Sequence, residues 1–167
     1  IVLGVGGTRR CGSTGGVEQA EGLEFFRTAM PGGIYTLPIL DQVGVVRALN
    51  KRVTEIVETT RPQLIHVHSP SLNGLAAIGV ARQAGIPILY EVRSFWEDAA
   101  VDAGSCTEGD LRYTLTRASE THVVRRVDHV VPICRGIADD LKARGVTDSK
   151  MTVVQNSVDF ARFSTEL

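Results

Sequence analysis

Hydrophobic positions along the chain change period several times, and each change predicts an element. Ile1 to Val5 is a short β-branched run that predicts a strand, and glycine-rich sequence follows from Gly4 to Gly16. Gly22-Leu23-Glu24-Phe25-Phe26-Arg27 predicts a second strand entered through a turn glycine, and Pro31-Gly32-Gly33 a turn. From Asp41 the period lengthens: Val46, Leu49, Val53 and Ile56 recur three and four apart, with Arg47, Lys51, Arg52 and Glu55 between them. That is an amphipathic helix of about five turns, ending before Arg61-Pro62. Short apolar runs then alternate with helical patterns. Strands are expected at 64–68, 86–92, 128–133 and 151–154. Helices are expected from Leu72 to Ala84 (closed by Gly85), from Glu108 to Val127 (Leu111, Leu115 and Ala118 on one face) and from Gly136 to Arg144 (capped by Gly145). Strands rich in Val, Ile and Leu that alternate with helices predict an α/β, Rossmann-like domain, a parallel sheet with helices on both faces.

Composition narrows the class of protein. A chain of 167 residues suits one domain, and 43% hydrophobic content excludes disorder. Eighteen basic against nineteen acidic side chains leave a net charge of -1, which disfavours a nucleic-acid partner or an anionic membrane surface. No apolar run has the length of a transmembrane helix, and no signal-peptide pattern opens the chain. Cys11, Cys106 and Cys134 lie far apart with no CxxC pair, which argues against a disulfide scaffold or structural zinc and fits a cytoplasmic location. Ile1 already sits in a strand-like run and 159–167 lack periodicity, so a piece of a longer protein is expected.

The glycine-rich opening imitates two phosphate-binding loops. Gly7 to Thr14 has the glycine spacing of the nucleotide-triphosphate loop, yet Ser13 stands where the lysine should reach the phosphates. Gly4 and Gly6 suit the dinucleotide fingerprint, but Arg9 occupies its third glycine position. With no helical pattern after Thr14, a surface loop is the expectation.

Ligands of open parallel sheets sit outside the carboxyl ends of the strands. There His68 ends one strand, Ser71 or Asn73 can cap the helix that follows, and the free amides at that helix start suit an anion or sugar hydroxyls. His66, two residues earlier, points to the same face and reads as a buried, hydrogen-bonded core histidine. The next strand runs into Glu91-Val92-Arg93-Ser94-Phe95-Trp96-Glu97-Asp98, the densest polar cluster, with the single tryptophan. Arg93 offers a bidentate fork for phosphate or carboxylate, and Trp96 a stacking face for a sugar or base. The competing reading is an ion pair of Arg93 with Glu91 or Glu97, Trp96 filling a core gap. Arg112, Tyr113, Arg117 and Glu120 read as a solvated helix face. Arg135 opens a helix toward the strand ends, and Cys134 before it reads as a small core residue. No HExxH, Cys/His cluster or paired-carboxylate motif is present, so no metal is expected.

The phrases RPQLIHVHSPSLNGLAAIGVARQAGIPILYEVRSFWED and ICRGIADDLKARGVTDSKMTVVQNSVDFARF resemble the N-terminal domain of GT-B glycosyltransferases of retaining family 4. YEVR-x-FWEDAA and LRYTLTRASETHVVRR look similar to the exosortase-associated bacterial glycosyltransferases of exopolysaccharide clusters. The resemblance runs from about Gly22 to Phe163. It implies two Rossmann-like domains across a cleft: residues 1–155 on the acceptor side, 156–167 starting the linker, and a donor domain beyond. Arg93 stands where many relatives carry a cleft-facing histidine. His68 and Ser69 match an HxHSP phrase. Asn156 and Asp159 match an NGVD phrase, with Ser157 in place of its glycine, and Gly15-Gly16-Val17-Glu18 echoes a GGxE phrase.

The implied activity is transfer of a hexose from a nucleotide sugar to an acceptor hydroxyl, with retained configuration, in polysaccharide or glycoconjugate synthesis. Arg93 is then the catalytic candidate, and His68, Ser69, Asn73, Ser94, Trp96, Glu97 and Arg135 are the substrate-binding candidates. The donor is a substrate, with no cofactor or metal. The other partners are an acceptor glycan or lipid-linked glycan and the chain's own C-terminal domain. The location is cytoplasmic, with peripheral attachment to the inner membrane as a variant, and the 167 residues alone are expected to be inactive. The rival reading is a non-catalytic Rossmann-like module binding a phosphorylated small molecule, and a glycine-loop nucleotide enzyme comes third.

Overall fold

The computed structural model describes residues 2–5, 16–20, 22–28 and 38–158. In chain order the elements are β1 (Val2–Val5), β2 (Gly16–Ala20), β3 (Leu23–Arg27), α1 (Pro38–Thr60), β4 (Leu64–His68), α2 (Ser71–Ala84), β5 (Ile88–Val92), α3 (Trp96–Asp102), α4 (Leu111–Arg126), β6 (His129–Pro132) and α5 (Arg135–Ala143). Four strands form a parallel sheet in the order β1-β4-β5-β6, flanked by helices. This is the Rossmann-like α/β class that the alternating pattern predicts.

Register and pleat divide the sheet into two chemically different faces. Val5 lies beside Val67, Val67 beside Tyr90, and Tyr90 beside Val130. Side chains opposite each other in register share a face, so these four join Ile65, Ile88 and Val92 in one hydrophobic cluster. The strands are wound steadily in one direction. Right-handed crossovers then bring the connecting helices to one side, and α1 (Val53, Val57), α2 (Ala77, Ile78, Ala81), α4 (Val123, Val124) and α5 (Leu141) all feed that cluster. The other face carries Gly4, His66, His68, Leu89 and Glu91, in register across β1, β4 and β5. No described helix is long and apolar enough to cross a membrane.

Small residues let α2 lie close to its neighbours. A Cβ on Gly74 would strike the Cγ atoms of Val123 and press on the Tyr90 ring, so α2 approaches α4 and β5 more closely than any side chain would permit. Gly85 ends α2 at φ 67, and its amide bonds the carbonyls of Ala81 and Arg82, the left-handed cap expected of that glycine.

Several expectations change. Gly16–Ala20 is a strand that was not foreseen. It pairs with β3 as an antiparallel hairpin separate from the main sheet, so the GGxE echo places Val17 and Glu18 on β2, where Glu18 bonds Arg27. Helix α1 begins at Pro38 instead of Asp41, in keeping with proline's suitability for a first turn. Helix α3 is an element that no periodicity predicts, because seven residues are too few for a period to show. Met151 makes only a one-residue parallel bridge to Val130, although the Thr152 and Val154 amides continue to the carbonyls of Val130 and Pro132. The supposed apolar face of α4 is its outer side: Leu111 and Leu115 are exposed, while Glu120, Val123 and Val124 are buried.

Candidate functional site

Hydrogen bonds tie the loops after β4 and β5 to each other. The Ser69 amide donates to the Glu91 carbonyl at 2.9 Å, and the Arg93 amide donates to the Ser69 hydroxyl at 3.2 Å. Asn73, buried in the first turn of α2, sends its side-chain NH₂ back to the His68 carbonyl at 2.9 Å. Its donor capacity therefore holds the 68–73 turn in place, a positioning role instead of the substrate contact expected of it. Neither Ser71 nor Asn73 caps α2: Pro70 is the N-cap residue, and the Ser71 amide is met by the Glu120 carboxylate at 3.0 Å. The acceptor at this helix start is thus one of the protein's own side chains.

Glu91 is the centre of the polar face. Its oxygens lie 3.1 Å from His66 Nε2, 3.4 Å from His68 Nδ1 and 3.5 Å from Arg93 Nε. The two imidazoles stack with centroids 4.6 Å apart, as two residues on one face of a strand can. His66 is a half-exposed member of this cluster, not a core histidine. Burial is the main cause that lowers its pKa, and the neighbouring His68 adds to the effect against the opposing pull of Glu91. The neutral ring therefore dominates at neutral pH.

Arg93 stands at the carboxyl end of β5 with its side chain 55% exposed and in contact with Glu91. Ser94 beside it is exposed. Trp96, 51% exposed at the first position of α3, does not fill a core gap; Phe95 is the buried aromatic there. As the single tryptophan, it should emit like a solvated indole and be readily quenched by acrylamide and iodide. A blue-shifted, unquenchable emission would contradict this placement.

Arg135 is exposed at the start of α5, one strand over from Arg93, and Cys134 before it is exposed instead of a core residue. Glu97 does not belong to the rim. It is fully buried and receives Arg144 Nη1 at 2.8 Å, so it fastens α3 to the end of α5. Asn156 is exposed in the chain after Met151, while Asp159 and the Gly7–Thr14 loop lie outside the described residues.

Two features escaped the sequence reading. The His66–His68–Glu91 trio depends on which strand is neighbour to β4, and no spacing along the chain encodes that. Glu120, read as part of a solvated helix face, is fully buried and accepts the Tyr90 hydroxyl at 2.6 Å. On the same helix, Arg117 meets Asp140 and the Tyr113 hydroxyl reaches Asp98. The outer side of α4 borders an open groove lined by Tyr113, Arg117, Thr121 and Arg125, which no strand-end residue enters.

A parallel sheet with a polar rim at its strand ends places the candidate residues where open α/β sheets bind ligands. The family model described as "Glycosyl transferase 4-like domain" matches residues 2–157, and the chain belongs to that family. It is a glycosyltransferase domain of the family-4 type. No curated protein matches the chain.

Proposed function

We propose that this domain is the acceptor-side half of a two-domain, GT-B glycosyltransferase that moves a hexose from a nucleotide sugar to an acceptor hydroxyl with retained configuration. The observation that carries the proposal is Arg93: an exposed guanidinium at the carboxyl end of a central strand, with Ser69 and Ser94 beside it. Breaking the bond from the anomeric carbon to the donor phosphate leaves negative charge on a diphosphate, and a guanidinium that meets this charge stabilises the transition state more than the ground state. The acceptor oxygen bonds the anomeric carbon on the face that the phosphate leaves, and its proton passes to the departing phosphate oxygen. His68, Ser69, Ser94, Trp96 and Arg135 contact substrate in this reading, while Asn73 and Glu97 position the loops. In this reading the stretch that begins at Asn156 starts the linker to a donor-binding domain. The resemblance to exosortase-associated enzymes favours exopolysaccharide synthesis, on a glycan or lipid-linked acceptor at the cytoplasmic side of the membrane.

Assaying the full-length protein with a panel of nucleotide sugars, and determining the anomer formed by NMR, tests the reading. Inverted product would refute retention, and efficient transfer by the 167 residues alone would refute the division of labour between two domains. Arg93→Ala is expected to lower kcat/KM about a hundredfold while leaving the melting temperature nearly unchanged. A large drop in melting temperature with unchanged kinetics would instead make Arg93 a structural partner of Glu91.

A further inference from the structure

We propose that His66, His68 and Glu91 form a three-ligand site for a divalent transition metal of the zinc class. Such ions take imidazole nitrogen and carboxylate oxygen at about 2.0–2.2 Å, so neighbouring ligand atoms on a tetrahedral ion stand about 3.3 Å apart. Here His66 Nε2 lies 3.1 Å from one Glu91 oxygen and His68 Nδ1 3.4 Å from the other, and one ligand atom from each residue lies within 4.8 Å of the others. The approach is close but poorly directed for hydrogen bonding: among the described residues His66 Nε2 and His68 Nδ1, both shut off from solvent, make no hydrogen bond of good geometry, and Glu91 attracts His66 chiefly by proximity. A histidine–carboxylate pair that existed for its own sake would aim an N–H along an oxygen lone pair. The three groups instead gather on one patch of the polar face, within ligand reach of one another.

The scaffold suits a fixed site. His66 and His68 face one way from a single strand, and Glu91 lies beside His68 on the next. Ladder hydrogen bonds between strands, not a loop, thus set the ligand positions. Among the described residues nothing stands within 4 Å of where a Gly4 side chain would be, in register with His66 on β1, which leaves room for a further ligand on the ion. Arg93 also reaches Glu91, so an ion bound there would compete with the guanidinium and release it to the rim. Among the described residues no other trio of metal-ligating side chains converges in this way.

The inference does not depend on the transferase reading, because its test measures binding alone. The purified chain is titrated with Zn²⁺ against a chromophoric chelator and with Co²⁺ by visible absorption. The expected result is one equivalent bound at micromolar affinity or better, with cobalt d–d bands free of thiolate charge transfer. His66→Gln and His68→Gln should each weaken binding at least ~10-fold at unchanged metal-free melting temperature, and His122→Gln should have no effect. No micromolar binding, binding that survives both substitutions, or a thiolate band from the cysteines would overturn the proposal. Should a variant fail to fold, NMR of the unaltered chain with Co²⁺ decides: paramagnetic shifts at the His66 and His68 imidazoles support the site, and shifts confined to His122 or His129 refute it.

Discussion

Arg144→Ala is expected to lower folding stability by about 3–5 kcal/mol, the cost typical of removing one partner from a buried ion pair. The Arg144 side chain is 2% exposed and that of Glu97 is 0% exposed, so neither charge has water to fall back on. Arg144 donates from Nη1 to Glu97 and from Nε to Asp140, and its guanidinium lies 3.8 Å from the centroid of the Phe95 ring. Alanine would remove all three contacts and leave the Glu97 carboxylate buried and unpaired. Replacing both charges, as Glu97→Leu with Arg144→Met, should cost less than the single change, because apolar side chains of similar volume carry no desolvation penalty. Urea unfolding of the single and double variants tests this, and a loss below about 1 kcal/mol for Arg144→Ala would mean that water reaches the pair. The consequence extends to the rim. Glu97 and Phe95 flank Trp96 and follow Arg93 and Ser94, so the pair fixes the start of α3 and with it the direction in which the rim residues point. Trp96 emission should therefore shift in Arg144→Ala under conditions where the variant remains folded.

What could be read along the chain was whatever depends on near neighbours. The switch from period two to period three and four marks the strands and helices of the parallel sheet. Gly85 marks a helix end because a left-handed residue without a Cβ is needed there. The rim was legible for a topological reason: in a parallel sheet, whatever follows a strand stands at the ligand-binding edge, and this places His68, Ser69, Arg93 and Ser94 together. Burial of charge was not legible. Glu97 and Glu120 resemble surface glutamates in sequence, and only the facing Arg144, Tyr90 and Ser71 make their burial tolerable. The same blindness inverted α4, where exposed leucines outline a false core face while the buried side is carried by Val123, Val124 and a glutamate. The histidine pair was visible as His-x-His, but its carboxylate lies on another strand.

The burial of Glu120 should make stability fall as pH rises from about 4.5 toward neutrality. Its carboxyl is fully buried, and its pKa is pushed up from 4.5 to about 7, chiefly by burial. The nearby Glu97 charge raises it further, while the Tyr90 hydroxyl, the Ser71 amide and Arg144 favour the ionised form and restrain the rise. Between pH 4.5 and about 7 the folded state therefore holds a proton that the unfolded state has lost. Folding stability from this group is complete below pH 4.5 and declines as pH climbs to about 7, by about 3 kcal/mol for a shift of this size. Glu120→Gln keeps the shape and a hydrogen-bonding carbonyl but cannot ionise, so the decline should vanish. Denaturant unfolding of both proteins at pH 4 and pH 8 isolates the effect, because other titrating groups cancel in the difference. The variant should gain about 3 kcal/mol relative to the parent across that range, and parallel stability curves would show that Glu120 ionises in the folded state as readily as in the unfolded one. Tyr90→Phe removes a donor that favours the carboxylate, so it should move the decline to lower stability at the same high pH by raising the Glu120 pKa further. Because Glu120 also holds the Ser71 amide, one residue from Pro70 and two from Ser69, its ionisation acts directly on the turn that carries His68 to the rim.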